Sequence, residues 1–288
     1  MKRQALLALT VLVLASLACS INIDPPTINI PDVDNTGPTE TFVIDEPAPA
    51  DGSQTDLTIE MGAGEMNINP GTKGVIDGSV VYNVADWAPK LDRNGSSLRL
   101  TQDPMDRVTL DDDIKNEWNL NLGLTTPIDL TLKAGAYQAK IDLSGVPLTG
   151  LDISDGASDA KVEFNELNPA QMSRLTYRTG ASQVELVGLA NANFSELDFE
   201  SGAGNYTLDF SGQLQQDAHA SVKSGVSQVT IIIPAGMRAR VINTASLSNV
   251  ELDGSWNTND ETYETNGEGS LLTIDVNMGV GNLRLVQK

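Results

Sequence analysis

The chain has 288 residues, with 39 Asp and Glu against 18 Lys and Arg, giving a formal net charge of −21. Such a surface repels phosphate backbones and argues against nucleic acid as a partner. With one His (His219) and one Cys (Cys19), any Ser-His-Asp or Cys-His system would have to use His219, and a multi-His metal site within one chain is excluded.

Met1 to Ala18 reads as a secretory signal. Lys2 and Arg3 form a positive start, and Ala5 to Ala18 is apolar except for Thr10 and Ser16. Fourteen helical residues span about 21 Å, short of a hydrocarbon core of about 30 Å, so this is a signal and not a transmembrane anchor. Cleavage after Ala18 leaves Cys19 first, and Ser16-Leu17-Ala18-Cys19 resembles a bacterial lipobox. That resemblance implies acylation of Cys19 and a membrane anchor. Ser16 departs from the Leu preferred there, so an ordinary secreted protein with one free thiol is the alternative.

Residues 19–55 are expected to form a lipid-anchored tether. Six of the thirteen prolines lie there, among many Asp, Thr and Asn, and such a segment has too little apolar surface to build a core.

From residue 56 the chain repeats itself. The template L-x-I-x-x-G-A-S-polar-V-x-L starts at Leu57, Leu130, Leu151, Leu175 and Leu197, with weaker copies from Ala220, Val241 and Ile274. Its Gly column is Gly62, Gly135, Gly156, Gly180, Gly202, Gly225 and Gly279, with Ser246 in one copy. From Gly135 to Ser246 the spacings are 21, 24, 22, 23 and 21 residues. A period near 22 is the signature of a solenoid. Each copy alternates apolar and polar residues on both sides of the glycine, the pattern of half-buried strands. The glycine between two strands calls for positive φ or close backbone approach. Consecutive copies stacked in parallel would bury a continuous core, a better account of the constant spacing than a sandwich of hairpins.

The fold class expected is therefore all-β, a parallel β-solenoid of about 22 residues per coil over 129–288. An N-terminal β capping subdomain is expected over 56–128, with strand-like runs at Ser97 to Thr101 and Trp118 to Leu122. A second break of 33 residues separates Ser246 from Gly279, its extra length falling in the polar segment 254–270.

The G-A-G at Gly62, the serial G-A-S/G repeats and the Trp/Tyr-bearing loop before Gly279 look like the toast-rack domain family of bacterial cell-envelope proteins. The C-terminal domain of LiaF-type stress proteins is similar more distantly. The resemblance covers roughly residues 55 to 288. It implies a stacked, all-β surface domain with no catalytic residues or cofactors to carry over.

Few side chains suggest chemistry. Asp103, Asp106 and Asp111 to Asp113 could offer oxygen ligands to Ca²⁺, yet they match no EF-hand or β-roll spacing and read as a solvated loop; no metal site is assigned. The residue three after each repeat glycine is polar: Glu65, Gln138, Asp159, Gln183, Asn205, Gln228, Asn249 and Asn282. It reads as a side-chain ladder or turn chemistry before it reads as a ligand stripe. Trp256 and Tyr263 lie in the polar segment as a possible interaction loop, or as a cap on the last coil. Trp118 reads as core, Trp87 as either, and His219 as an exposed loop residue.

The expectation is a non-catalytic, lipid-anchored protein on the extracellular face of the bacterial membrane. It would act as a structural or protein-interaction module, with an envelope protein or glycan as possible partner and no cofactor. The alternative is a carbohydrate-binding or carbohydrate-cleaving β-helix.

Overall fold

The computed structural model describes residues 36–103, 114–244 and 247–288. They carry β1 (Glu40–Glu46), β2 (Thr55–Thr72), β3 (Ile76–Tyr82), β4 (Lys90–Asn94), β5 (Ser97–Thr101), β6 (Asn116–Gly123), β7 (Ile128–Asp142) and β8 (Leu148–Glu163). There follow β9 (Met172–Val187), β10 (Phe194–Asp209), β11 (Ala218–Ile233), β12 (Met237–Asn243), β13 (Leu247–Asp253), β14 (Asn257–Asn259), β15 (Thr262–Glu264) and β16 (Glu268–Gln287). The sixteen strands form one open, mostly parallel sheet. The fold is an all-β, parallel solenoid.

Alternation decides what each coil buries. In β10 the side chains of Leu197, Phe199, Tyr206 and Leu208 point inward and are at most 2% exposed, while Asp198 and Glu200 point outward. Neighbouring copies pair in register, Leu151 beside Leu175, Leu175 beside Leu197 and Leu197 beside Ala220, so like stacks on like and the core runs unbroken.

The glycine column marks a bend where successive coils touch through bare backbone. A Cβ on Gly180 would lie 2.4 Å from the Gly156 carbonyl oxygen, and one on Gly202 would lie 2.4 Å from that of Gly180. None of the column glycines takes a positive φ. Of the two reasons the sequence allows for glycine here, close approach is the one realised.

Each coil closes on a third side without strands, where Asn168 is 1% exposed and joins three coils. Its Nδ2 donates to the carbonyls of Leu148 (2.8 Å) and Ala192 (3.0 Å), and its Oδ1 accepts from the amides of Leu148 and Ala170.

The ends depart from simple sequential stacking. β5 and β6 together make one rung beside β2, pairing with its first and second halves. Gln102 bridges the gap between them, donating to the Trp87 carbonyl (2.7 Å) and to Asn116 Oδ1 (2.9 Å). β4 covers β5, and β3 covers β6 with β1 beyond it, all antiparallel. β2 then pairs in register with β7, so the sheet continues across residue 128.

At the other end β16 threads between β11 and a split rung made of β12 and β13. The eighth copy thus lies inside the seventh, which corrects the expectation that copies stack in sequence order. The physical reason is the long 254–270 segment: it turns through the β14–β15 hairpin, which covers β12 antiparallel, before the chain re-enters one rung deeper. Nine parallel rungs among the described residues span about 38 Å at about 4.8 Å per step.

A second correction concerns the expected tether. Residues 40–46 form an edge strand paired with β3, and Ile44 is 1% exposed in the core, because the alternation of Phe42 and Ile44 matches the sheet surface. The signal segment, Cys19 and the first part of the tether lie outside the described residues.

Candidate functional site

Outward side chains stand in straight columns. The polar residue three after each glycine pairs in register across the whole stack, Glu65, Gln138, Asp159, Gln183, Asn205, Gln228, Asn282 and then Asn249. At the β13 end its hydrogen bonds include a diagonal one, Asn282 Nδ2 donating to Glu251 Oε1 at 3.0 Å. Before the glycine the outward face carries ion pairs between rungs: Lys133 with Glu60 at 2.9 Å, Arg178 with Asp152 at 3.2 Å, and Lys223 with Glu200 at 3.1 Å. These pairs are solvent-exposed and each contributes at most about 1 kcal/mol.

A polar ladder runs on the inside of the bend, where the sequence reading did not place one. Asp155, Thr179, Ser201 and Ser224 stack in register one residue before the glycines, and Ser158 and Ser182 stack two residues after them. Asp155 is 8% exposed and its carboxylate accepts from Tyr177 Oη (2.9 Å), Tyr137 Oη (3.4 Å), Ser182 Oγ (3.4 Å) and Thr179 Oγ1. On the next rungs Ser201 donates to Ser224 (2.8 Å), and Ser224 to Ser227 (2.7 Å). Burial pushes the Asp155 carboxyl above its ordinary range, against hydrogen bonds from Thr179 and Tyr177 that pull it down. Burial likewise raises the Tyr177 phenol well above its usual value, with Tyr137 and Asp155 adding to the effect. Period-two counting from Leu151 and Ile153 puts Asp155 on the inward face, so a signal for it was present.

Trp256 follows β13, and Tyr263 lies on β15 beside β12, both at the outermost split rung. Both are partly buried against the core, and Trp256 Nε1 donates to the Asp253 carbonyl at 3.0 Å. Tyr263 pairs across the ladder with Val241. Beside them a shallow cleft of about 360 Å³ is lined by Arg240, Ile242, Asn257, Thr258, Asn259, Thr262 and Glu264. Trp118 and Trp87 are 0% and 4% exposed, both in the interior.

His219 is not a loop residue. It lies on β11 with its Nε2 3.5 Å from Asp275, because the alternation of β11 begins one residue before it. Asp129 pairs directly with Asp56, and its carboxyl is raised by partial burial and then by Asp56 and Asp152. Among the described residues no group of three His, Cys, Asp or Glu side chains is placed to hold a metal ion. Asp103 pairs with Lys90 at 2.6 Å, while Asp106 and Asp111 to Asp113 lie outside the described residues.

A sequence profile of the N-terminal domain of toast_rack (DUF2154) matches residues 32–173 and again residues 165–232. The chain belongs to this toast-rack family. The doubled match follows from the internal repeat, since adjacent coils carry the same pattern. No curated protein sequence matches it. Its fold is similar to a crystal structure of a candidate cell adhesion protein from Clostridium sporogenes, at 19% identity and TM-score 0.47, covering 87% of this chain and 99% of that one. A candidate adhesin from Bacteroides fragilis is 12% identical at TM-score 0.40, over 86% of this chain and 96% of that one. A candidate lipid binding protein from Parabacteroides distasonis is 10% identical at TM-score 0.38, over 87% and 98%.

In this toast-rack chain the sequence foresaw the outer column and the buried Trp118. It missed Asn168, which reads as an ordinary turn residue, and the threading of β16.

Proposed function

We propose that this chain is a non-catalytic interaction module displayed on the outer face of the bacterial cell membrane, anchored through acylated Cys19. The observation that carries the reading is the outer column from Glu65 to Asn249. It holds polar side chains in register across eight rungs, so a partner meets a rigid, repeated face about 34 Å long at about 4.8 Å per step. A stack of parallel rungs preorganises that face, and preorganisation lowers the entropic cost of binding. The signal-like start, the lipobox-like segment and the Pro-rich residues that follow supply an anchor and reach.

Two measurements test this. Intact mass and membrane partitioning of the wild type beside Cys19→Ala read the anchor: added acyl mass and membrane location are expected for the wild type alone. Titration of the soluble Cys19→Ala chain onto isolated cell envelopes reads the interaction. Saturable binding is expected, weakened by the combined Gln138→Ala, Gln183→Ala and Gln228→Ala changes. An unmodified soluble wild type, or no saturable binding, contradicts the proposal.

A further inference from the structure

The solenoid has four terminal half-rungs, two at each end. Three are covered by an antiparallel strand: β5 by β4, β6 by β3, and β12 by β15. Each covering strand sets an apolar side chain opposite one of the rung, namely Leu91 opposite Leu100, Val80 opposite Trp118, and Tyr263 opposite Val241. β13 is the fourth half-rung, and among the described residues it pairs with β16 alone. Among the described residues no strand covers its other edge, where the Asp253 carbonyl is taken by Trp256 Nε1; an uncovered edge is the template on which strands add.

The side chains there fit a covering strand. Val250 and Leu252 point toward the core side, Val250 only partly buried and Leu252 44% exposed. Asn249, Glu251 and Asp253 alternate with them on the outer, exposed face. Charge selects the occupant. Residues 240–284 contain seven Asp and Glu against two Arg, Arg240 paired with Glu264 and Arg284 with Asp253, so this end stays net acidic. Two copies of this end repel each other, whereas a basic strand is attracted.

We infer that β13 is a docking edge for an extended segment of a partner protein. The segment adds as an antiparallel strand, with aliphatic residues at alternate positions over Val250 and Leu252 and with Lys or Arg between them. This rests on the interaction reading above and adds a docking edge of defined chemistry where the outer column ends at Asn249.

The probe is an acetylated, amidated heptapeptide of alternating Lys and Val, with a Glu and Val peptide as control, added to the full Cys19→Ala chain. Hydrogen exchange and titration at low salt are read together. Expected are slowed exchange at 247–253 and at least tenfold tighter binding of the Lys peptide. Glu251→Lys, at an exposed position, is expected to weaken that binding at least tenfold with unfolding unchanged, and Leu252→Lys to weaken both peptides. Protection elsewhere, equal binding of the two peptides, no binding, or a dimer of the free chain that protects β13 overturns the inference. The two readings fail separately. A Cys19→Ala chain that does not bind envelopes sinks the module, whereas envelope binding by that chain unaffected by Glu251→Lys and Leu252→Lys sinks only the β13 edge.

Discussion

The Asp155 carboxylate accepts a hydrogen bond from the Tyr177 hydroxyl at 2.9 Å, between adjacent rungs inside the bend. Thr179, Ser182 and Tyr137 add their hydroxyls to the same group. A buried carboxylate held only by neutral donors is satisfied but still short of solvation.

This gives a pH dependence with a definite sign. The folded-state carboxyl lies above its unfolded value of 3.8. The contribution of Asp155 is therefore fully present below 3.8 and is lost as pH rises through the folded value. Relative to Asp155→Asn, the wild type should gain stability as pH falls from about 7 to about 4. Denaturant unfolding of both proteins across that range checks it; a constant difference contradicts it.

The glycine column makes a steric prediction. Gly180→Ala places a methyl 2.4 Å from the Gly156 carbonyl oxygen, so the rungs must part locally. A cost of about 1–3 kcal/mol is expected, seen as a lower Tm by about 2–4 °C per kcal/mol for a domain near this size. An unchanged Tm would mean that the rungs are not in contact at the bend.

Asn168 tests the third side of the coil. Asn168→Ala leaves two carbonyls and two amides without their side-chain partner, one of them the buried Leu148 amide. The Leu148 amide keeps its bond to the Val146 carbonyl at 2.8 Å, and each buried group left without a partner costs about 1–3 kcal/mol. Asn168→Ala should therefore unfold at clearly lower urea concentration than the wild type, and an unchanged midpoint would contradict the bridging role.

Trp256 and Trp118 should respond differently. Trp118 is fully buried, and Trp118→Ala should cost about 3–5 kcal/mol across the whole unfolding transition. Trp256→Ala should speed hydrogen exchange at 247–264 and leave β7 to β10 protected, since its contacts are confined to that end. Equal acceleration throughout would contradict a local capping role.

Much of this fold is legible in the residues because one template repeats. Alternation around Gly62, Gly135 and their successors fixes which side chains are inward, and the near-constant spacing fixes a parallel register. The rung order is not legible, because the copies from Val241 and Ile274 carry the same alternation and either could lie outermost. Only the 33-residue spacing hints at a detour. The strand at 40–46 is hidden among prolines at Pro38, Pro47 and Pro49, whose restricted backbones bracket it without entering it. The candidate docking edge depends on which strand is left uncovered, a property of topology that no single segment encodes.

That topology can be measured directly with cysteine pairs in a Cys19→Ser background. Thr230 pairs with Arg284, and Arg284 pairs with Glu251, so β16 lies between the other two strands. A disulfide needs Cα atoms within about 7 Å, whereas two rungs are about 9.6 Å apart. Thr230→Cys with Arg284→Cys should therefore oxidise readily, and Thr230→Cys with Glu251→Cys should stay reduced. The reverse pattern would put β13 against β11, leave β16 outermost, and contradict the exposed β13 edge.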